Sequence, residues 1–123
     1  MVLLDNTWAG PTGFQALKHG VDLSILALTK HVGGHSDLIA GAASGAAVWV
    51  SQVAVFRTIF GTMTDPHTAW LLLRSLETLK LRMDAAELGA RKVAAYLAKH
   101  PRVKSVWYLG FLPKDHPDRP LFE

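Results

Sequence analysis

Short, unbroken apolar runs fill the first third of the chain, and a helical period takes over near Gly45. The runs at residues 2–4, 21–28 and 38–43 are separated by Gly, Pro and Asn. Continuous apolar runs of this length suit strands covered on both faces, so buried strands joined by turns are expected there. Residues 46–60 then predict a first helix, in which the Val and Ile side chains lose rotamer freedom. Asp65-Pro66 predicts a helix start: proline presets φ at the first helical position, and the preceding aspartate accepts from free N–H groups. The longest helix is expected over about 77–99, where Leu79, Met83, Ala86, Ala90, Val93 and Leu97 recur at alternating steps of four and three. Glu87 and Arg91 stand off that stripe in the favourable i, i+4 order. Pro101 ends this helix, residues 103–109 read as a strand, and the Pro- and Asp-rich tail from Pro113 reads as exposed loop. Strands come first and helices after, with no internal repeat.

The strongest chemical signal lies where the second run ends, at Leu28-Thr29-Lys30-His31-Val32-Gly33-Gly34-His35-Ser36-Asp37. A lysine between an apolar run and a Gly-Gly turn stands at the mouth of a sheet rather than on a solvated helix face. Its amine can there form a Schiff base with a carbonyl, which is how pyridoxal 5'-phosphate (PLP) is held; such a site also needs an acid partner for the pyridine nitrogen. Asp5 follows the run at residues 2–4. Two strand ends lying side by side would bring Asp5 and Lys30 to one ligand. A carboxylate behind a buried strand must be paired to be tolerated, and a pyridinium nitrogen is a suitable partner.

Composition acts mainly by exclusion. The 123 residues have the length of one average domain, and half of them are hydrophobic, enough to fill a core. Thirteen Lys and Arg against ten Asp and Glu give a net charge of +3. These charges form no stripe or patch, so no nucleic-acid surface is expected. The chain has no cysteine, which rules out disulfides and thiolate metal sites and fits a reducing compartment. No basic segment followed by a long apolar one opens the chain, and no apolar run reaches bilayer length, so no signal peptide or membrane span is expected and a cytoplasmic location is the default. His31 and His35, with Asp37 nearby, have metal-ligand spacing only on a helix; the intervening Gly33-Gly34 argues against one, so no metal is expected.

Asp5-Asn6-Thr7, Pro11, Lys18-His19-Gly20-Val21-Asp22-Leu23-Ser24-Ile25, Thr29-Lys30 and Gly34-His35-Ser36-Asp37 together resemble the PLP enzymes of cysteine and methionine metabolism. These include cystathionine synthases and lyases, methionine lyases and homoserine-ester sulfhydrylases. The resemblance continues through Asp65-Pro66-His67-Thr68-Ala69-Trp70 and Arg74-Ser75-Leu76-Glu77-Thr78-Leu79-Lys80-Leu81-Arg82-Met83 and covers nearly the whole chain. His31 stands where the family mostly has Tyr, Leu28 where it has a small residue, and Ala27 where it often has Ser.

The resemblance implies an α/β fold, the C-terminal part of a fold-type I PLP-dependent transferase large domain with a mostly parallel sheet. Residues 1–63 would be the end of that large domain, residues 64–100 the connecting helices, and residues 101–123 the start of the small domain with its first strand. The chain would then be a fragment of a homo-oligomeric enzyme, a dimer of dimers. It implies Lys30 as catalytic and cofactor-binding residue, Asp5 on the pyridine nitrogen and the Thr29 hydroxyl on the phosphate, with small amino acids as substrates. The reaction implied is elimination or replacement at the β- or γ-carbon of sulfur-containing amino acids or homoserine esters. A second reading from the residues alone is a non-catalytic helical interaction module, docking through its long amphipathic helix.

Overall fold

The structure, a computed structural model, describes residues 1–122. It divides into two compact units, Met1–Met83 and Asp84–Glu123. The first unit holds a three-stranded sheet in the order β1 (Leu3–Asp5), β2 (Leu23–Ala27), β3 (Gly41–Gly45). β1 and β2 run parallel, with Leu3 opposite Leu23 and Asp5 opposite Ile25. β3 runs antiparallel to β2, from Leu23 opposite Gly45 to Ala27 opposite Gly41. The parallel pair needs a crossover, which is a short helix α1 (Gly10–Gly13) followed by a 3-10 turn at Ala16–His19.

The third strand lies further along than its apolar run suggests, over Gly-Ala-Ala-Ser-Gly rather than residues 38–43. Its small residues answer a steric demand. A Cβ on Gly45 would stand 2.2 Å from the Asp22 carbonyl oxygen and 3.0 Å from Leu23 Cδ2. Gly45→Ala is therefore expected to push β3 off β2 and destabilise the chain by about 1–3 kcal/mol, as overpacked positions do; a fall in the thermal midpoint measures it.

The sheet is less covered than expected of strands with two packed faces. Leu23 and Ser24 are buried, but Leu3 is 50% exposed and Ile25 40% exposed. Ala16, Leu23, Val32, Leu38, Leu71 and Leu79 form the buried apolar set of the first unit. α2 (Ala47–Phe60) has no buried residue, and Val55, Phe56, Ile59 and Phe60 all lie on the surface. Gly61 ends it in the left-handed region at φ +68°.

α3 (Pro66–Leu76) starts where the sequence predicts, with Pro66 in the first turn and Asp65 accepting from the Thr68 amide at 3.0 Å. α4 (Leu79–Ala98) is the long helix, and the two units divide within it. The expected Glu87–Arg91 pair forms on its surface, with Arg91 Nε donating to Glu87 Oε1 at 3.0 Å. Its apolar stripe is unevenly used: Leu79 is buried, Met83 and Leu97 are half-buried, and Val93 is exposed.

Residues 103–109 do not form the strand expected of them. A strand exists only as one rail of a hydrogen-bonded ladder, and the sheet of the described residues ends at β3. Val103 instead donates to the His100 carbonyl in a turn, and Leu109–Phe111 winds into a 3-10 turn with the Tyr108 and Phe111 rings edge to face. A last short helix, α5, spans Arg119–Phe122. Among the described residues no helix is long and apolar enough to cross a membrane.

Candidate active site

The parallel register sets Asp5 beside Ile25 at the carboxyl ends of β1 and β2. The Asn6 amide extends the ladder by one more bond, to the Ile25 carbonyl at 2.8 Å. The carboxyl edge of parallel strands is where open α/β sheets receive ligands, because the chain leaves there through adaptable loops. Asp5 and the loop bearing Lys30 thus share one edge of the sheet.

Thr7 joins the two strand ends. Its amide donates to Asp5 Oδ1 at 3.0 Å, and its hydroxyl donates to the same oxygen at 2.5 Å. That hydroxyl also accepts from the Ala27 amide at 2.9 Å. The Thr7 hydroxyl, then the Thr7 amide, hold the Asp5 carboxyl below its ordinary value of 3.8, outweighing a small opposing effect of desolvation. Asp5 therefore remains an anion at neutral pH, as a partner for a ring nitrogen must. The Asp-x-Thr spacing is a side-chain turn readable in the sequence, but its reach to the neighbouring strand is not.

Thr7→Val would remove both side-chain bonds and leave the Ala27 amide without its acceptor, a loss of about 1–3 kcal/mol. The pH effect has a definite sign. The lowered folded pKa of Asp5 favours the folded chain above the ordinary value of 3.8, and that contribution disappears as pH falls through the lowered value. Thr7→Val is expected to move the Asp5 titration back up towards 3.8, which an NMR pH titration of the Asp5 carboxyl measures directly.

Beyond β2 the chain turns through Thr29 and Lys30. The Lys30 amide donates to the Ala27 carbonyl at 3.2 Å, and the Gly33 and Gly34 amides donate to Leu28 and Lys30 carbonyls, each at 2.7 Å. The Lys30 side chain is exposed at this turn. Thr29 is half-buried and tied to Ala40 before β3: its hydroxyl accepts from the Ala40 amide at 3.1 Å and donates to the Ala40 carbonyl at 3.3 Å. The hydroxyl assigned to a phosphate thus has a backbone partner here. His31 meets the exposed ring of Trp8 edge-on, centroids 6.5 Å apart. His35 Nδ1 lies 2.6 Å from the Gly33 carbonyl, so it donates there and braces the same turn. Residues 31–35 form a turn, not a helix.

A further contributor, Arg82, has no site role that its sequence neighbours reveal. Arg82, at the start of α4, is half-buried, and Nη1 donates to the His31 carbonyl at 2.6 Å. Nη2 donates to the Val32 carbonyl at 3.0 Å and to the Ser75 carbonyl at 2.9 Å, while Nε donates to Thr78 Oγ1 at 3.1 Å. Arg74, by contrast, makes a half-exposed ion pair with Asp37 at 3.6 Å and lies over the Trp70 ring.

A family model described as Cys/Met metabolism PLP-dependent enzyme matches residues 1–122. The chain belongs to that family. The chain is 36% identical over 121 residues to cystathionine gamma-synthase 1, chloroplastic, of Arabidopsis thaliana, covering 98% of this chain and 21% of that protein. It is 35% identical over 122 residues to cystathionine gamma-lyase of Bacillus subtilis, covering 98% of this chain and 32% of the relative. Among solved structures, a cystathionine gamma-lyase from Lactobacillus plantarum complexed with L-serine superposes with a TM-score of 0.86 at 33% identity, over 97% of this chain and 31% of that one. The fold is therefore that of a PLP-dependent lyase, and PLP is the cofactor of the family. The chain spans between about a fifth and a third of the length of these relatives.

Proposed function

We propose that this chain supplies the cofactor-holding edge of a PLP-dependent enzyme that eliminates or replaces a group at the β- or γ-carbon of sulfur-containing amino acids or homoserine esters. The observation that carries this is the Asp5–Thr7–Ala27 bridge, which ties an ionised carboxylate to the strand leading into Lys30. The donor set fits the cofactor. Lys30 offers an exposed primary amine to the aldehyde carbon, and Asp5 offers a permanent anion to the pyridine nitrogen. The Thr29 hydroxyl would reach the phosphate by giving up its long bond to the Ala40 carbonyl. The names of the relatives support the substrate class.

Bound PLP supplies an electron-withdrawing ring that spreads negative charge from a substrate α-carbon. The work of the chain is then to place protons. Asp5 keeps the ring nitrogen protonated, because its own proton affinity is lowered by Thr7. The Lys30 amine takes the α-proton and returns it to a neighbouring carbon, a role that requires it to lie within hydrogen-bond reach of both.

In this proposal residues 1–63 end the PLP-binding domain, residues 64–100 connect it, and residues 101–123 open the small domain of a homo-oligomeric enzyme. The absence of cysteine suits a cytoplasmic location. The 123-residue chain alone is expected to bind PLP weakly and to turn over neither cystathionine nor methionine, because a Gly-rich phosphate cradle at a helix N-terminus is not in its sequence. Titration with PLP, followed by its visible absorbance, with an assay on both substrates, tests this. Tight saturable binding with turnover would contradict the proposed division of labour.

A further inference from the structure

We infer that Arg82 is the positioning residue for Lys30, and this rests on the PLP reading above. The guanidinium takes the carbonyls of His31 and Val32, the two residues that follow Lys30, at 2.6 and 3.0 Å. Its other anchors are the Ser75 carbonyl and the Thr78 hydroxyl. Ser75 is only 1% exposed and sits in α3, so the anchor is fixed in the fold. A planar fork that grips two successive carbonyls fixes both the height and the rotation of a turn, which a single ammonium cannot do.

Gly34 is the complement of this clasp. It stands at φ +72°, and a Cβ there would lie 1.9 Å from Arg82 Nη1 and 2.6 Å from Cζ. The turn therefore needs glycine twice over, for its backbone conformation and to leave space for the guanidinium. The Gly34 amide closes back onto the Lys30 carbonyl at 2.7 Å, so the residue that makes room for Arg82 is bonded directly to Lys30. Arg82 touches neither cofactor nor substrate in this scheme; it determines where the Lys30 amine stands.

The test is competition among lysines in the whole 123-residue chain. The chain is incubated with PLP over a range of pH, reduced with borohydride, and mapped by peptide mass spectrometry, with circular dichroism confirming the fold of each variant. Unsubstituted chain is expected to label Lys30 in preference to Lys18, Lys80, Lys92, Lys99, Lys104 and Lys114. Arg82→Lys keeps the charge but loses the fork, and is expected to cut the Lys30 share at least tenfold and flatten its pH profile, with the other lysines unchanged. Gly34→Ala should do the same by displacing the guanidinium, and the double variant should be no worse than either single one. Thr78→Val loosens only the Nε anchor, so it reports a smaller loss in the same direction even where the other variants fold poorly. Wild-type Lys30 share and pH profile in Arg82→Lys or Thr78→Val would overturn the role of Arg82 while leaving the PLP reading intact. No preference for Lys30 in the unsubstituted chain would overturn both.

Discussion

In the full-length enzyme proposed above, Lys30→Ala is expected to abolish turnover, a loss of about 10⁴-fold or more for a residue proposed both to hold the cofactor and to move the proton. Alanine supplies no amine for the aldehyde and no base for the α-carbon. The neighbouring turn does not depend on the Lys30 side chain, since its bonds run through the Lys30 amide and carbonyl. The variant should therefore fold normally, with circular dichroism and thermal midpoint close to those of the parent. A steady-state assay with cystathionine and methionine measures the loss. Residual activity within about tenfold of the parent would assign the base to another group.

Asp5→Asn is expected to be the second largest effect, slowing turnover by about 10²-fold. The amide keeps the size of the side chain and can still accept from the Thr7 amide and hydroxyl, so the strand ends should remain joined. What it lacks is the negative charge proposed to keep the ring nitrogen protonated. Reduced but not abolished cofactor binding, with slowed α-proton exchange followed by deuterium incorporation into substrate, is the expected pattern. A rate within a factor of about two would remove the electronic role from Asp5.

The parts of the fold legible in the sequence are those set by neighbours along the chain. Asp65-Pro66 fixes a helix start through one side chain and one locked φ, and α3 begins there. The i, i+4 pair of Glu87 and Arg91 is local in the same way. The boundaries of β3 were not legible, because Gly41–Gly45 has none of the branched side chains that mark strands; its small residues answer the close approach of Asp22 and Leu23. Residues 103–109 look like a strand by composition, but composition cannot supply a partner strand. At the candidate site, the lysine turn and Asp5 stood out because an apolar run delivers each one to a sheet edge. Arg82 did not, since its partners are backbone carbonyls 51 and 50 positions away, and a carbonyl has no residue type to read.

In the proposed site, Lys30 and Asp5 hold one PLP molecule between them. Borohydride reduction of the PLP-treated chain, followed by peptide mapping of the unsubstituted protein and of Asp5→Asn, tests it most directly. A single dominant label on Lys30, weakened when Asp5 loses its charge, is the expected result. Label spread evenly over the lysines, or on Lys30 but indifferent to Asp5, would contradict it.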